Sequence, residues 1–161
     1  MRKMLLLASF LAAACGQEEG RPRNDGQAAL PTAGTPVQTA TLTGLYETGS
    51  TPPSQLCIAE QGRAARFGLV IRRNGRPGCS GAGTATRAGP TLRLAMSGDS
   101  PCAIEARLEG GRVTFPASLP ASCSYYCAPG IVMGSTVFEK TGGTQADAQR
   151  ARDSVGDPLC S

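Results

Sequence analysis

A regular alternation of apolar and polar residues is the feature that most constrains the fold of this chain. In residues 103–109 every second residue is apolar and its neighbours are mostly charged. Gly110 and Gly111 follow, and the alternation resumes in residues 112–115. Successive side chains of a strand point to opposite faces, so a period of two on both sides of a glycine pair predicts an antiparallel hairpin.

Other segments extend this hairpin into a mostly β domain that we place at residues 41–161. The alternation recurs in residues 66–72 and 91–96, and residues 41–46 and 135–140 are expected to supply the first and last strands. Strands joined by short turns, each with one apolar face, form an antiparallel meander whose apolar faces must be covered. The sequence therefore predicts a small antiparallel barrel or sandwich.

The end of the chain has a helical rather than an alternating pattern. Thr144 and Asp147 have the spacing of a capping box, which marks the start of a helix. A Gly-Asp-Pro run at residues 156–158 is typical of a helix end. We expect one short C-terminal helix between these signals, held to the domain through Cys160.

The cysteines predict how the domain is cross-linked. The chain has seven cysteines, and the six that follow the first fifteen residues are Cys57, Cys79, Cys102, Cys123, Cys127 and Cys160. An even number in an exported chain predicts three disulfides, among fifteen pairings that sequence does not distinguish. The chain has no histidine and no second closely spaced cysteine pair, so we expect neither a metal site nor any other cofactor.

The first fifteen residues predict export. Arg2 and Lys3 precede an uncharged apolar run that ends in small residues and Cys15, which is the order of a secretory signal. This segment resembles the signal of bacterial lipoproteins, and the chain resembles small, cysteine-rich envelope lipoproteins of proteobacteria. The resemblance implies that residues 1–14 are removed and that acyl chains on Cys15 anchor the protein to a membrane. An ordinary cleaved signal is the alternative.

Residues 15–40 are polar and rich in proline, glycine and small residues, so we interpret them as a flexible tether after the lipidated cysteine. Gly16 stands where lipoproteins kept in the inner membrane often have aspartate. The resemblance therefore implies a location at the outer membrane, facing the periplasm.

Charge and aromatic content exclude nucleic acid as a partner. The sixteen basic residues less Arg2 and Lys3 leave fourteen, against twelve acidic residues, and aromatic side chains are few. The densest basic cluster is Arg72, Arg73 and Arg76. We interpret it as a hairpin turn with solvated arginines, and contact with an anionic surface is the alternative. We expect a monomer.

Catalytic patterns are missing from the sequence. Without histidine, the chain cannot form Ser-His-Asp or Cys-His sites. Lys140 is the only lysine after the signal, and no Ser-x-x-Lys motif precedes it. We therefore expect no enzyme. A weak hydrolase built on carboxylates such as Asp99 and Glu105 is the remaining catalytic alternative, although Glu105 is expected on the solvent face of its strand.

Two groups of residues are candidates for binding. Ser80-Gly-Ala-Gly83 resembles the Ser-Gly-x-Gly loop of membrane-bound inhibitors of C-type lysozyme. That resemblance implies a small eight-stranded barrel that inserts the loop, with Ser80, Gly81 and Gly83, into the lysozyme cleft. Tyr125 and Tyr126 are the only adjacent aromatic residues, and they are either interface anchors or core residues.

These observations lead to two hypotheses of different class, besides the weak carboxylate-dependent hydrolase that remains as a third. The first is an envelope-anchored, non-catalytic binding or accessory module for a protein or small molecule. It would use a barrel mouth or the Tyr125–Tyr126 segment. The second is an inhibitor of C-type lysozyme that acts through Ser80–Gly83.

Overall fold

The computed structural model describes residues 41–62 and 64–160. The predictions for residues 1–40, which are the signal, the lipidated Cys15 and the tether, lie outside these residues. Within the described part, eight strands pair in chain order and close into a barrel. The prediction of a mostly β, antiparallel domain is confirmed, and of the two architectures it is the barrel that forms.

The strands are joined in sequence, and each pairs antiparallel with the next. Their bounds are β1 Gly44–Glu47, β2 Gln55–Gln61, β3 Ala64–Arg73, β4 Arg76–Ala88, β5 Thr91–Met96, β6 Ala103–Glu109, β7 Arg112–Thr114 and β8 Val137–Gly142. The predicted hairpin is confirmed as β6 and β7, with Leu108 opposite Val113. Pairing of β8 with β1 closes the sheet, so that neither strand is left as a free edge.

Alternate residues of every strand fill the barrel interior. The largest fully buried side chains belong to Tyr46, Phe67, Phe115 and Phe138, and buried leucine and isoleucine residues fill the space between them. The rings of Phe115 and Phe138 lie 5.4 Å apart at an angle of 60°. An eight-stranded barrel is just wide enough for its own side chains. A ligand therefore has to bind at an end of the barrel or on its outer wall.

Large residues of β3 face small residues of β4 inside the barrel. Phe67 pairs with Gly83, and Leu69 pairs with Gly81. A Cβ atom on Gly83 would collide with the backbone carbonyl of Ala95. The small inward face of β4 thus lets the large residues of β3 fill the centre.

The strand directions place the connections at two ends of the barrel. The turns after β2, β4 and β6 lie at one end together with residues 41–43, and we call this end the mouth. The long connection between β7 and β8, residues 115–136, lies at the other end. We call this connection the cap and this end of the barrel the cap end. The β3–β4 turn at Asn74 lies at the cap end as well.

The cap contains one 3₁₀ helix, Ala121–Tyr126, and is attached to the barrel by two disulfides. One joins Cys102 to Cys123, and the other joins Cys79 to Cys127. The N–H of Ala128 also donates to the Gly78 carbonyl at 2.7 Å. The start of β4 is therefore fixed directly beside the cap.

The C-terminal segment packs on the outside of β1 and β2. Its helix α1, Gln145–Ala148, begins with the predicted capping box between Thr144 and Asp147, which is confirmed. Beyond the helix, Cys160 forms the third disulfide, with Cys57. This segment buries the outward side chains of Leu45, Cys57 and Ala59 in a second, smaller core.

The helix is shorter than the sequence predicts. It ends at Ala148 rather than near residue 156, because the following residues make other hydrogen bonds. Arg152 pairs with Pro158 in an isolated β-bridge, and the Asp153 carboxylate accepts the N–H groups of residues 155, 156 and 157. No helix among the described residues is long and apolar enough to cross a membrane.

Candidate functional site

The structure brings the two groups of candidate binding residues together. Ser80 lies near the start of β4, and Tyr125 and Tyr126 lie at the end of the 3₁₀ helix of the cap. All three line one open depression of about 410 Å³, together with Pro77, Gly78, Ala128 and Ser154. The Cys79–Cys127 disulfide forms part of its wall. We call this depression the serine–tyrosine groove.

The two tyrosines have different environments. Tyr126 is partly buried against the main core, and its hydroxyl donates to the Ser100 carbonyl at 2.7 Å. Tyr125 is 63% exposed, and its ring meets the Tyr126 ring edge to face, with centroids 5.3 Å apart. Of the alternatives left by the sequence, Tyr126 therefore fits the core residue and Tyr125 fits the interface anchor.

The Ser80–Gly83 segment is not the loop that the sequence analysis expects. It lies inside β4, paired with β3 on one side and reaching the pairing with β5 at Gly83. Ser80 is exposed, whereas Gly81 and Gly83 face inward. A Cβ atom on Gly81 would approach the Met96 sulfur to 2.8 Å and the Tyr126 ring to 3.3 Å. Packing inside the barrel thus accounts for both glycines.

A second depression adjoins the groove on the cap. It has a volume of about 270 Å³ and is lined mainly by apolar side chains that include Leu119, Ile131 and Met133. Cys127 lines both depressions. Val132 at its rim is 66% exposed, which makes it, with Tyr125, one of two large exposed apolar or aromatic side chains on the cap. Sequence reasoning did not decide between a core segment and an exposed patch for residues 131–133, because cap residues 115–136 show no period of two.

The mouth of the barrel contains polar residues that sequence reasoning also missed. The Tyr46 hydroxyl is buried and donates to the Leu42 carbonyl at 2.7 Å, and burial raises the pKa of Tyr46 to about 12. The Lys140 ammonium lies 5.5 Å from the Tyr46 ring centre and donates to the Thr41 carbonyl. Burial lowers the pKa of Lys140, and the nearby Glu60 carboxylate acts in the opposite direction.

Glu60 ties the start of the barrel to β2. Its carboxylate accepts hydrogen bonds from the Thr41 and Thr43 hydroxyls and from the Thr43 N–H. Burial disfavours its charge, but these hydrogen bonds outweigh that effect and lower the pKa of Glu60. The mouth residues are thus engaged in holding residues 41–43. The sequence does contain a signal for these residues. Glu60, Arg87 and Lys140 are charged residues at positions of β2, β4 and β8 whose side chains face the barrel interior, where an apolar residue is the usual choice.

The two carboxylates considered for catalysis are not gathered into a cleft. Glu105 lies on the outer wall of β6 and forms an ion pair with Arg93 at 3.0 Å, with both side chains more than half exposed. Asp99 is exposed in the connection between β5 and β6. The described residues contain no group of three or more acidic, cysteine or histidine side chains placed to hold a metal ion.

Comparison with known proteins gives no family assignment. No family model, no curated protein and no solved structure matches this chain.

The inward position of Gly83 leads to a test of why the Ser-Gly-Ala-Gly sequence occurs. We expect Gly83→Ala to destabilise the domain by about 2–3 kcal/mol, because the new methyl group collides with the Ala95 backbone and overpacks the wall. Ala82→Ser, on the exposed side of the same strand, should change the free energy of unfolding by less than about 0.5 kcal/mol. Urea unfolding of both variants is the measurement, and equal effects would contradict the packing role.

The buried Tyr46 predicts a loss of stability in alkaline solution. Its pKa is near 10.0 when unfolded and about 12 in the fold, so between these values the unfolded chain releases a proton that the folded chain keeps. The free energy of unfolding should therefore fall by up to about 2–3 kcal/mol as pH rises from 10 to 12.

Tyr46→Phe is the control for this pH dependence. The variant loses the hydrogen bond to Leu42 but has no phenol to ionise, so its stability should fall less steeply above pH 10. The lowered pKa of Lys140 acts in the opposite direction at lower pH and is present in both proteins. Denaturant unfolding at several pH values measures the difference, and parallel curves for the two proteins would refute the assignment.

Proposed function

We propose that this protein is a lipid-anchored, non-catalytic binding module of the bacterial envelope, and that the serine–tyrosine groove is its binding surface. The observation that carries the proposal is that Ser80 and Tyr125 line the same depression. These residues lie 45 positions apart in the chain, yet they line one depression beside the Cys79–Cys127 disulfide.

The chemistry of the groove supports binding rather than catalysis. Its described lining carries the serine hydroxyls of Ser80 and Ser154 and the phenol of Tyr125, but no carboxylate and no amine. General acid–base catalysis requires a positioned group whose pKa lies near the working pH, and hydroxyl groups alone do not provide one. The residues present can hydrogen-bond and pack against a ligand.

A polypeptide segment is the ligand class that these residues favour. An exposed tyrosine combines a large flat apolar face with a hydroxyl group, and tyrosines are enriched among the residues that dominate protein interfaces. Tyr125 is held against Tyr126, whose hydroxyl is fixed on Ser100, so the exposed ring loses little freedom on binding. The apolar depression at Val132 extends the same surface.

Three disulfides are compatible with a location outside the cytoplasm, where such bonds form and persist. Anchoring through Cys15 is supported by the lipoprotein-like signal, and a place at the outer membrane facing the periplasm is supported by Gly16.

A photoreactive phenylalanine analogue at Tyr125 tests the binding surface in the living cell. We expect ultraviolet light to produce a discrete covalent adduct with an envelope polypeptide, identified by mass spectrometry. The same analogue at Thr86 provides the matched control, because Thr86 is exposed on β4 but lies toward the mouth. Ser80→Trp should abolish the adduct formed at Tyr125 by filling the groove. Absence of an adduct, or the same adducts from both positions, would contradict the proposal.

Inhibition of C-type lysozyme is the second candidate function. It is favoured by the eight-stranded closed barrel, which the resemblance of the Ser80–Gly83 segment implies, and by the exposure of Ser80. This support is an analogy of fold, and the same architecture hosts unrelated functions.

Lysozyme assays with the full-length protein separate the two candidates. If the protein is an inhibitor, micromolar protein should slow cell-wall hydrolysis, and Ser80→Arg should weaken inhibition about tenfold or more by obstructing the contact. Thr86→Arg, which introduces the same charge away from the groove, should inhibit like the unchanged protein. An unaltered lysozyme rate at micromolar protein would eliminate this candidate and leave the first in place.

A further inference from the structure

A third cavity at the cap end has the donors of an anion site. It has a volume of about 420 Å³ and lies between the β1–β2 connection, the end of β3 and the end of the cap. Its charged lining residues are Arg72 and Arg73, and none of the described residues that line it is acidic. We call it the arginine cavity. It is separate from the serine–tyrosine groove, with which it shares no lining residue.

Three side chains of the arginine cavity have unused hydrogen-bond donors. Among the described residues, the Arg72 guanidinium has no hydrogen-bonded or ionic partner within the protein, and the Asn74 amide and Ser135 hydroxyl, on exposed residues, have none there either. Arg72 is half-buried as a residue, and its guanidinium has no acidic partner. Arg73 donates one guanidinium N–H to the Val132 carbonyl at 3.3 Å, and its other guanidinium N–H groups remain available to a ligand.

The other hydroxyl groups of the cavity hold its walls in place. The Thr48 and Ser50 hydroxyls bond to each other at 2.7 Å, and Thr48 also accepts the Ser54 N–H. The Ser54 hydroxyl accepts the N–H of Arg72 at 2.9 Å, and that contact fixes the backbone from which the guanidinium extends. The shape of the site is therefore formed before any ligand arrives, which lowers the cost of binding.

The nearest acidic residues along the adjoining strands are engaged elsewhere. Glu47 accepts hydrogen bonds from Gln55 and Thr141, each at 2.9 Å. Glu139 pairs with Arg112 at 2.6 Å. Neither carboxylate neutralises the two arginines of the cavity.

Two turns with positive φ border the arginine cavity. Asn74 and Ser135 are the two described residues other than glycine with positive φ, at 52° and 59°, and both line this cavity. A hairpin turn accounts for Asn74, since Asn-Gly is a favoured pair there. Ser135 lies in the turn at Gly134, where its N–H donates to the Pro116 carbonyl at 3.1 Å, so both positive φ values belong to turns that border the cavity.

We propose that the arginine cavity binds a phosphate group, carried either by a lipid headgroup or by a soluble phosphate ester. The guanidinium fork matches the oxygens of a phosphate or a carboxylate, and the additional donors from Asn74 and Ser135 match the larger number of oxygens on phosphate. This site is independent of the polypeptide groove, and either can fail in an experiment without the other.

Titration with inorganic phosphate tests the site directly. The full-length protein is titrated at an ionic strength held constant with chloride, and binding is followed by the amide resonances of residues 72–74 and 135. We expect saturable shifts confined to this cavity. Arg72→Gln should weaken binding about tenfold or more, because a charge-assisted hydrogen bond is lost.

Arg76→Gln is the matched control, because Arg76 carries the same charge on the same hairpin but does not line the cavity. It should change the affinity by less than about twofold, as expected for a screened surface charge. Equal weakening by the two variants, shifts spread over the whole surface, or no saturation would each overturn the proposal.

Ser135→Gly provides a variant that cannot fail simply by misfolding. Glycine adopts φ of 59° without strain, so the melting temperature should rise while phosphate binds more weakly. Unchanged phosphate affinity in this variant would contradict a hydrogen bond from the Ser135 hydroxyl to the phosphate.

Vesicles distinguish the two sources of phosphate. Arg72-dependent binding to vesicles that contain phosphatidylglycerol, but not to phosphatidylcholine alone, would assign a lipid headgroup. Binding of inorganic phosphate without binding to either vesicle would assign a soluble ester. Failure of both arms would refute the site.

Discussion

Closure of the sheet by the pairing of β1 with β8 is the constraint on which the rest of the structure depends. A closed ladder of eight strands encloses a space that only side chains can fill, so the inward residues must match in size from strand to strand. Phe67 opposite Gly83 and Leu69 opposite Gly81 show this matching. Because the interior is full, surfaces available for recognition are displaced to the outer wall and the two ends.

The two ends serve different purposes. At the mouth, Glu60, Lys140 and Tyr46 use their polar atoms on residues 41–43, and the opening is held together by hydrogen bonds within the chain. At the cap, two disulfides and the Tyr126 hydroxyl fix a long irregular connection, while Tyr125 and the Arg72 guanidinium remain available. Both proposed binding surfaces therefore belong to this end, where a disulfide borders the serine–tyrosine groove and hydroxyl hydrogen bonds hold the arginine cavity.

Sequence predicted most readily the elements whose two faces differ in polarity, although β3, which is buried on both faces at its centre, was also placed, from large residues at every second position. The β6–β7 hairpin and β5 were placed correctly because one face meets the core and the other meets water. β2 was missed because both of its faces are buried, one in the barrel and one under the C-terminal segment. β4 was missed because its inward residues are small, as at Gly81 and Gly83. The sequence could not predict that Ser80 and Tyr125 line one groove, because their proximity depends on the Cys79–Cys127 disulfide, which is part of one of fifteen possible pairings.

The position of residue 41 at the mouth, opposite the cap, has a mechanical consequence. If the chain before Thr41 is pulled while a partner holds the cap, the force runs along β1, parallel to the strands. The hydrogen bonds between β1 and its neighbours β2 and β8 are then loaded together in shear, and must break as a group. A pull applied across the strands would instead open them one at a time. With the anchor and the binding surfaces where we propose them, this topology favours resistance to traction between the two ends.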